Sequence, residues 1–157
     1  MADVKLIPLE VLLGHPERTA AQISPDGELS YVAPLDGVLN VFIGEAGTGN
    51  ERSVTHDTAR GIQGYFWAQD NRHLMYVRDK DGSGNFRIYD VDLETGVERD
   101  LTPMDDVQCR LIAHCKDFPN DVLIGLNKDN PQLHDVYHLD LTTGKLEKIV
   151  ENPGFVG

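Results

Sequence analysis

Short runs in which apolar and polar residues alternate recur along the chain, and glycine-containing turns separate them. In the clearest run, 86–102, the even positions of the first strand are predicted to point to one side and the odd positions to the other. Gly96 then closes a tight turn, because positive φ is cheap only for glycine. The same pattern returns around Gly144, 48 residues later. A hairpin recurring with this period is typical of a β-propeller blade.

The remaining runs complete three such units. Strands are predicted at 19–23, 29–33, 38–43 and 52–55, then at 61–67, 73–78, 86–91 and 97–101, and last at 108–114, 122–126, 134–141 and 145–150, with a turn at 118–121. We therefore predict an all-β fold: a partial β-propeller of three four-stranded antiparallel blades plus a short N-terminal segment.

The units also predict boundaries. Residues 1–18 lie outside the repeat and include a weak helical pattern at 9–13, the blades are 19–58, 59–104 and 105–150, and 151–157 would begin a further blade. Because propellers close with about four to eight blades, three leave the ring open. We expect the chain to be a piece of a larger protein.

The composition limits the classes of partner and the cellular compartments that are expected for this protein. The net charge of −12 disfavours nucleic acid and anionic membrane surfaces, and no apolar run is long enough to span a bilayer. Pro8 and Glu10 interrupt the only candidate for a signal peptide. Cys109 and Cys115 would lie about 20 Å apart on one strand, too far for a disulfide. Two reduced cysteines favour a cytoplasmic protein.

An ordered set of motifs resembles the N-terminal propeller region of the prolyl oligopeptidase family of serine peptidases, in its bacterial acylaminoacyl-peptidase and dipeptidyl-aminopeptidase-like branch. The motifs are LIPLEVLLG at 6–14, PER at 16–18, QISPDG at 22–27, GVLNV at 37–41, RGI at 60–62, YFWA at 65–68, DNRHL at 70–74, GLN at 125–127, LHDVY at 133–137 and ENPGFVG at 151–157.

The resemblance implies a propeller that caps a C-terminal α/β-hydrolase domain and limits access to its catalytic serine. The triad belongs to that domain, and the Gly-x-Ser-x-Gly elbow is not found in this sequence, where Gly82-Ser83-Gly84 has the wrong spacing. We therefore expect no catalytic, cofactor-binding or metal-binding residue and no activity from this chain alone. The expected partners are the remaining blades and the hydrolase domain. The alternative is a stand-alone scaffold that binds a peptide or protein.

One loop has the spacing of a calcium site. Asp79, Asp81, Ser83 and Asn85 fall at positions one, three, five and seven of such a loop, and Asp90 falls at twelve. The flanking elements are strands, however, and Asp90 would point away along one of them. We therefore predict a polar hairpin loop without a specific calcium site.

Other candidate groups have simpler structural explanations. The histidines match no zinc spacing, since His134 and His138 would lie about 13 Å apart on a strand. Ser24, Ser30 and Ser53 lack an evident base. An aromatic cluster in the second blade is better explained by packing between blades than by a binding cage: Tyr65, Phe66, Trp67, Tyr76 and Phe86.

Three blades also predict self-association, because the outer faces of the first and third would be uncovered. A two-fold dimer could stack the first blade on the third twice and close a six-bladed ring. The residues expected on those faces are Val32, Val41 and Ile43 in the first blade, and Ile112, Leu123, Leu126 and Val136 in the third.

Overall fold

Twelve strands form three separate four-stranded antiparallel sheets in a computed structural model that describes residues 17–45, 47–62, 64–79 and 82–154. Blade 1 contains β1 (Thr19–Ile23), β2 (Leu29–Leu35), β3 (Val38–Ile43) and β4 (Arg52–Ser53). Blade 2 contains β5 (Gly64–Trp67), β6 (His73–Asp79), β7 (Phe86–Asp92) and β8 (Glu98–Asp100). Blade 3 contains β9 (Cys109–Cys115), β10 (Phe118–Leu126), β11 (Asp135–Asp140) and β12 (Leu146–Val150). The predicted all-β class is confirmed. The helix predicted at 9–13 and the last three residues of the strand predicted at 151–157 lie outside the described residues.

The two glycine turns that revealed the repeat have the same geometry. Gly96 and Gly144 both have a φ of 71°, and each donates its N–H over 2.7 Å to the carbonyl of the aspartate four residues before it. The side chains of those aspartates, Asp92 and Asp140, accept from the backbone N–H groups two and three residues further along the chain. The sequence repeat is therefore a repeat of hydrogen-bonded structure.

The predicted turn at 118–121 is wrong, because β10 already begins at Phe118 and the turn is the preceding pair, 116–117. Proline is tolerated in a strand where no ladder hydrogen bond is needed from its nitrogen. Pro119 meets that condition because the register between β9 and β10 shifts between Phe118 and Val122.

The core consists of two apolar layers, one at each boundary between blades. Between blades 1 and 2, Val32, Val41 and Ile43 pack against Tyr65, Trp67 and neighbouring residues. Between blades 2 and 3, the buried residues come from both sheets: Ala68, Met75, Ile88, Leu101, Cys109, Val122, Ile124, Leu126, Tyr137, Leu139 and Leu141. Successive residues of the two central strands of blade 2 thus serve different layers, which is how a sheet between two others buries both faces.

This packing shows that the prediction was wrong for several residues expected on the open faces. Val32, Val41 and Ile43 face blade 2 and are at most 1% exposed, and Leu126 lies in the layer between blades 2 and 3. A strand sequence fixes which residues share a face, but the neighbour on each side decides which face is buried. Ile112 is exposed, as expected of an open face.

Ser30 ties blades 1 and 2 together from inside the first layer. Its hydroxyl lies 2.8 Å from the Tyr65 hydroxyl, accepts from the Trp67 indole N–H over 2.8 Å and is fully buried. Tyr65 also donates to the carbonyl of Ala20. These bonds satisfy the polar atoms that the two aromatic side chains carry into the layer.

Ser30→Ala is therefore expected to lower the free energy of unfolding by about 2 kcal/mol, since it leaves a buried indole N–H without its acceptor. Urea unfolding followed by fluorescence measures this directly, because Trp67 is the only tryptophan of the sequence. Ser53→Ala removes a hydroxyl that bonds a nearby carbonyl and is the control, with an expected change within about 0.5 kcal/mol. Equal losses in the two variants would contradict the assignment.

Candidate functional site

A polar cavity of about 510 Å3 lies at the boundary between blades 2 and 3. Turns at the same end of the two sheets supply most of its lining: Asp70, Arg72, His73, Asp92, Thr95, Val97, Arg99, Asn120, Leu141 and Thr142. Strand pairing explains the placement, because β5–β6, β7–β8 and β11–β12 all turn at this end.

Arg99 is the residue of this cavity that joins the two blades. Its guanidinium binds both carboxylate oxygens of Asp90, at 3.1 and 2.5 Å, and donates over 2.8 Å to the carbonyl of Leu141 in blade 3. Asp90 is fully buried and Arg99 is about one-third exposed. The charge of Asp90 is thus neutralised by a bidentate partner that also reaches across the boundary.

His73 and Arg72 also line the cavity, and each contacts two acidic side chains. His73 Nδ1 lies 2.5 Å from Asp70, while its Nε2 lies 3.9 Å from Asp90. Arg72 pairs with Asp92 at 2.5 Å and with Glu94 at 3.4 Å. The hydrogen bond from Arg72 is the main cause that holds the pKa of Asp92 well below its usual range. The carboxylates of Asp70 and Asp92 therefore already have partners within the cavity.

The boundary between blades 1 and 2 has an ion pair of its own. Arg78 of β6 lies 3.4 Å from Asp57 and over the ring of Tyr89, with 4.2 Å to the centroid. Burial raises the pKa of Asp57, but three backbone N–H donors (Gly61, Arg60 and Ala59) and the charge of Arg78 outweigh it, so the pKa is lowered.

This lowered pKa gives stability that is present above about pH 4, the unfolded value, and is lost as the pH falls through the folded pKa. Asp57→Asn is therefore expected to be less stable than the wild type at pH 7, and the difference should shrink steadily below pH 4. Urea unfolding between pH 7 and pH 3 tests this. A difference that is constant over this range would contradict a role for the carboxylate charge.

In the candidate calcium loop, Asp79 and Ser83 make hydrogen bonds within the loop. Asp79 accepts from Ser83 and from the Gly84 N–H, and lies 3.6 Å from Arg60. Asp81 lies outside the described residues. Asp90 belongs to the Arg99 pair and not to the loop. In the described part of the chain no group of three or more metal-ligating side chains converges.

The histidines and cysteines of blade 3 are dispersed. His114 contacts Gln69 at 3.3 Å, and His138 pairs with Asp121 at 2.5 Å. Burial, and then the charge of Arg110, lowers the pKa of His134 and favours the neutral ring. Cys109 is buried and Cys115 exposed, and both are free, as predicted.

The candidate serines and aromatic residues have structural roles. Ser24 caps its own turn by accepting from the Glu28 N–H, and Ser30 binds the aromatic pair described above. The prediction of packing between blades is confirmed for Tyr65, Trp67 and Tyr76, which share the layer facing blade 1. Phe66 packs into the other layer, so the five aromatics do not converge on one cage.

Relatives of known sequence match nearly the whole chain. Dipeptidyl aminopeptidase BIII of Pseudoxanthomonas mexicana is 43% identical over 154 residues, which are 97% of this chain and 22% of that protein. Dipeptidyl peptidase family member 6 of Caenorhabditis elegans is 30% identical, with the same coverage of both chains. The chain is a homologue of one part of these dipeptidyl peptidases. No family model matches it.

Solved structures show the fold of this propeller region. The β-propeller domain of the Trilobed protease from Pyrococcus furiosus superposes with a TM-score of 0.61 at 19% identity, over 86% of this chain and 43% of that domain. The chain thus spans about a fifth of the length of its curated relatives. No helix in the described ranges is both long and apolar enough to cross a bilayer.

The sequence analysis did not identify the ion pairs and hydrogen bonds that join the blades. One signal was available for Asp90, an acidic residue on the apolar side of its strand next to Ile88 and opposite Arg99 in the hairpin. No local signal marks Ser30, because its partners lie 35 and 37 residues away.

Proposed function

We propose that this chain is a non-catalytic part of a serine peptidase propeller and that it helps to gate peptide access to an α/β-hydrolase domain. The observation that carries the proposal is the match to a dipeptidyl aminopeptidase over 97% of this chain and only 22% of the relative. In this role the blades form a wall, and the hydrolase domain supplies the nucleophile.

The contacts between blades support a wall that excludes folded proteins. Each boundary combines a buried apolar layer with a charged tie, Arg78 to Asp57 at one and Arg99 to Asp90 at the other. Such boundaries resist separation, so entry would follow a fixed opening more readily than a gap between blades 1 to 3.

The buried state of Ser30 supports the non-catalytic assignment, as does the lack of a Gly-x-Ser-x-Gly segment in the sequence. The free cysteines support a cytoplasmic location, where thiols stay reduced. We propose that the three blades span residues 19–58, 59–104 and 105–150. Their partners in this role are the remaining blades and the hydrolase domain.

Reading the coding sequence beyond Gly157 is the first test. A downstream Gly-x-Ser-x-Gly elbow, followed by aspartate and histidine, is the expected result. A stop codon directly after Gly157 would overturn the proposal and favour a stand-alone binding scaffold. The purified 157-residue chain should not turn over dipeptidyl or acyl-aminoacyl chromogenic substrates. Turnover that survives repurification and is blocked by a serine-directed inhibitor would overturn the non-catalytic assignment.

The gating role needs a separate test in the longer protein. Arg99→Ala removes the ion pair and hydrogen bond that join blades 2 and 3, so it is expected to raise cleavage of a folded protein substrate relative to a dipeptidyl substrate. Arg72→Ala changes an exposed pair at the same cavity and is the matched control. An unchanged ratio in a folded Arg99→Ala enzyme would contradict gating by this wall.

A further inference from the structure

The polar cavity between blades 2 and 3 contains hydrogen-bonding groups that its ion pairs do not use. Arg99 binds Asp90 and the Leu141 carbonyl through Nε and Nη2, and its Nη1 donates to no atom of the described residues. On the blade 3 side, the Asn120 amide and the Thr142 hydroxyl are exposed and bond no described residue. These unused groups come from both blades and can all donate, so they suit a ligand that supplies acceptor oxygens.

The charges around these donors favour a ligand that carries both signs. Arg72 and Arg99 line the cavity together with Asp70 and Asp92, and the Asp90 carboxylate bound to Arg99 adds a further negative charge. An inorganic dianion would therefore meet repulsion as well as attraction. Asp70 and Asp92 each accept three hydrogen bonds, whereas a carboxylate has about four acceptor sites, so each can also accept from an ammonium group.

The size and the apolar part of the cavity suit a small organic molecule. Its volume of about 510 Å3 lies within the usual range for such sites, roughly 300–1,000 Å3. Val97 lines it from the β7–β8 turn and is 55% exposed, and Leu141 lines it from blade 3. The lining residues given above all belong to blades 2 and 3. A blade that follows blade 3 would pack on its opposite face and leave this lining unchanged.

We propose that the cavity binds a small zwitterion, namely an amino acid or short peptide with an aliphatic side chain. The ligand carboxylate accepts from Arg99 Nη1 and from the Asn120 amide, which are charge-assisted and neutral hydrogen bonds respectively. The ammonium group donates to Asp70 or Asp92, and the aliphatic side chain lies against Val97. Because such a ligand contacts both blades, its binding stabilises the boundary between them.

Nuclear magnetic resonance of the 157-residue chain tests the site directly. Titration with the dipeptide alanyl-valine should shift the backbone amide signals of Asn120, Leu141 and Thr142 and should reach saturation. The signals of blade 1 should stay in place. We expect dissociation in the millimolar range, because a ligand of this size makes few contacts. If the signals around the cavity do not shift, or shift without saturating, the proposal is overturned.

Modified ligands test the zwitterion. N-acetyl-alanyl-valine lacks the ammonium group and alanyl-valine amide lacks the carboxylate, so each should bind at least about tenfold more weakly than the free dipeptide. Inorganic phosphate should not displace the dipeptide. Equal binding of either capped peptide, or displacement by phosphate, would overturn the proposal. Valine identifies the source: its saturable binding supports free amino acids as ligands, and saturation by the dipeptide alone supports short peptides.

Two variants test the residues of blade 3. Asn120→Ala and Thr142→Val remove groups that bond no described residue, so both should fold as the wild type does by circular dichroism. Asn120→Ala should weaken binding about fivefold, and Thr142→Val less. The matched control is Asn50→Ala, because the Asn50 amide is also exposed and unbonded among the described residues but lies in the β3–β4 turn of blade 1. Unchanged affinity in Asn120→Ala, or equal weakening by Asn50→Ala, would overturn the proposal.

Discussion

Replacing Arg99 with alanine is expected to lower the free energy of unfolding by about 3 kcal/mol. The change leaves the carboxylate of Asp90 fully buried without its bidentate partner, and it also removes the bond to the Leu141 carbonyl in blade 3. Uncompensated burial of a charge costs more than the loss of an exposed ion pair. Urea unfolding at pH 7, followed by Trp67 fluorescence and by circular dichroism, gives the value.

Arg72→Ala is the control for this prediction. Arg72 makes one contact of 2.5 Å with Asp92, but that carboxylate is partly exposed and also accepts from two backbone N–H groups, so the effect should be smaller. The double variant Asp90→Asn/Arg99→Ala should be more stable than Arg99→Ala alone, because it removes the orphaned charge. If the double variant is the less stable of the two, burial of the Asp90 charge is not the cause.

Gly61→Ala is expected to cost about 3 kcal/mol, from two sources that add at one position. Gly61 has a φ of 80°, which strains any residue with a Cβ. A Cβ there would also lie 3.0 Å from the backbone nitrogen and the Cβ of Leu39, where β3 cannot move away without disturbing the layer between blades 1 and 2.

Gly84→Ala separates the two sources. Gly84 has the same φ of 80°, but no atom lies within 4 Å of the position its Cβ would take. This control should lose only the backbone term, about 1 kcal/mol. Comparable losses at the two glycines, measured by the same urea unfolding, would mean that the approach of Leu39 adds nothing.

These two predictions bear on gating, because each concerns a boundary between blades. A wall made of separate sheets opens where the contacts between sheets are weakest, whatever the stability of each sheet. Arg99 and Gly61 test the two boundaries independently, since they act in different apolar layers. The gating test requires a variant in which the contacts at one boundary are weakened while the sheets stay folded.

The sequence by itself determined the elements and their repeat. Alternation along 86–91 predicted correctly that Ile88 and Tyr89 serve opposite faces, because side chains on a strand point alternately to its two sides. The glycine turns at Gly96 and Gly144 were predictable for a local reason, since their positive φ depends on the residue itself.

Only the tertiary structure decided which faces are buried and what joins the blades. Val32, Val41 and Ile43 were assigned to an open face because no local pattern reveals which side the neighbouring sheet occupies. Arg99 reaches a carbonyl 42 residues away, and no regular spacing connects it to that atom. Strand alternation and turn chemistry act between near neighbours in sequence, whereas contacts between blades depend on how separately formed sheets stack.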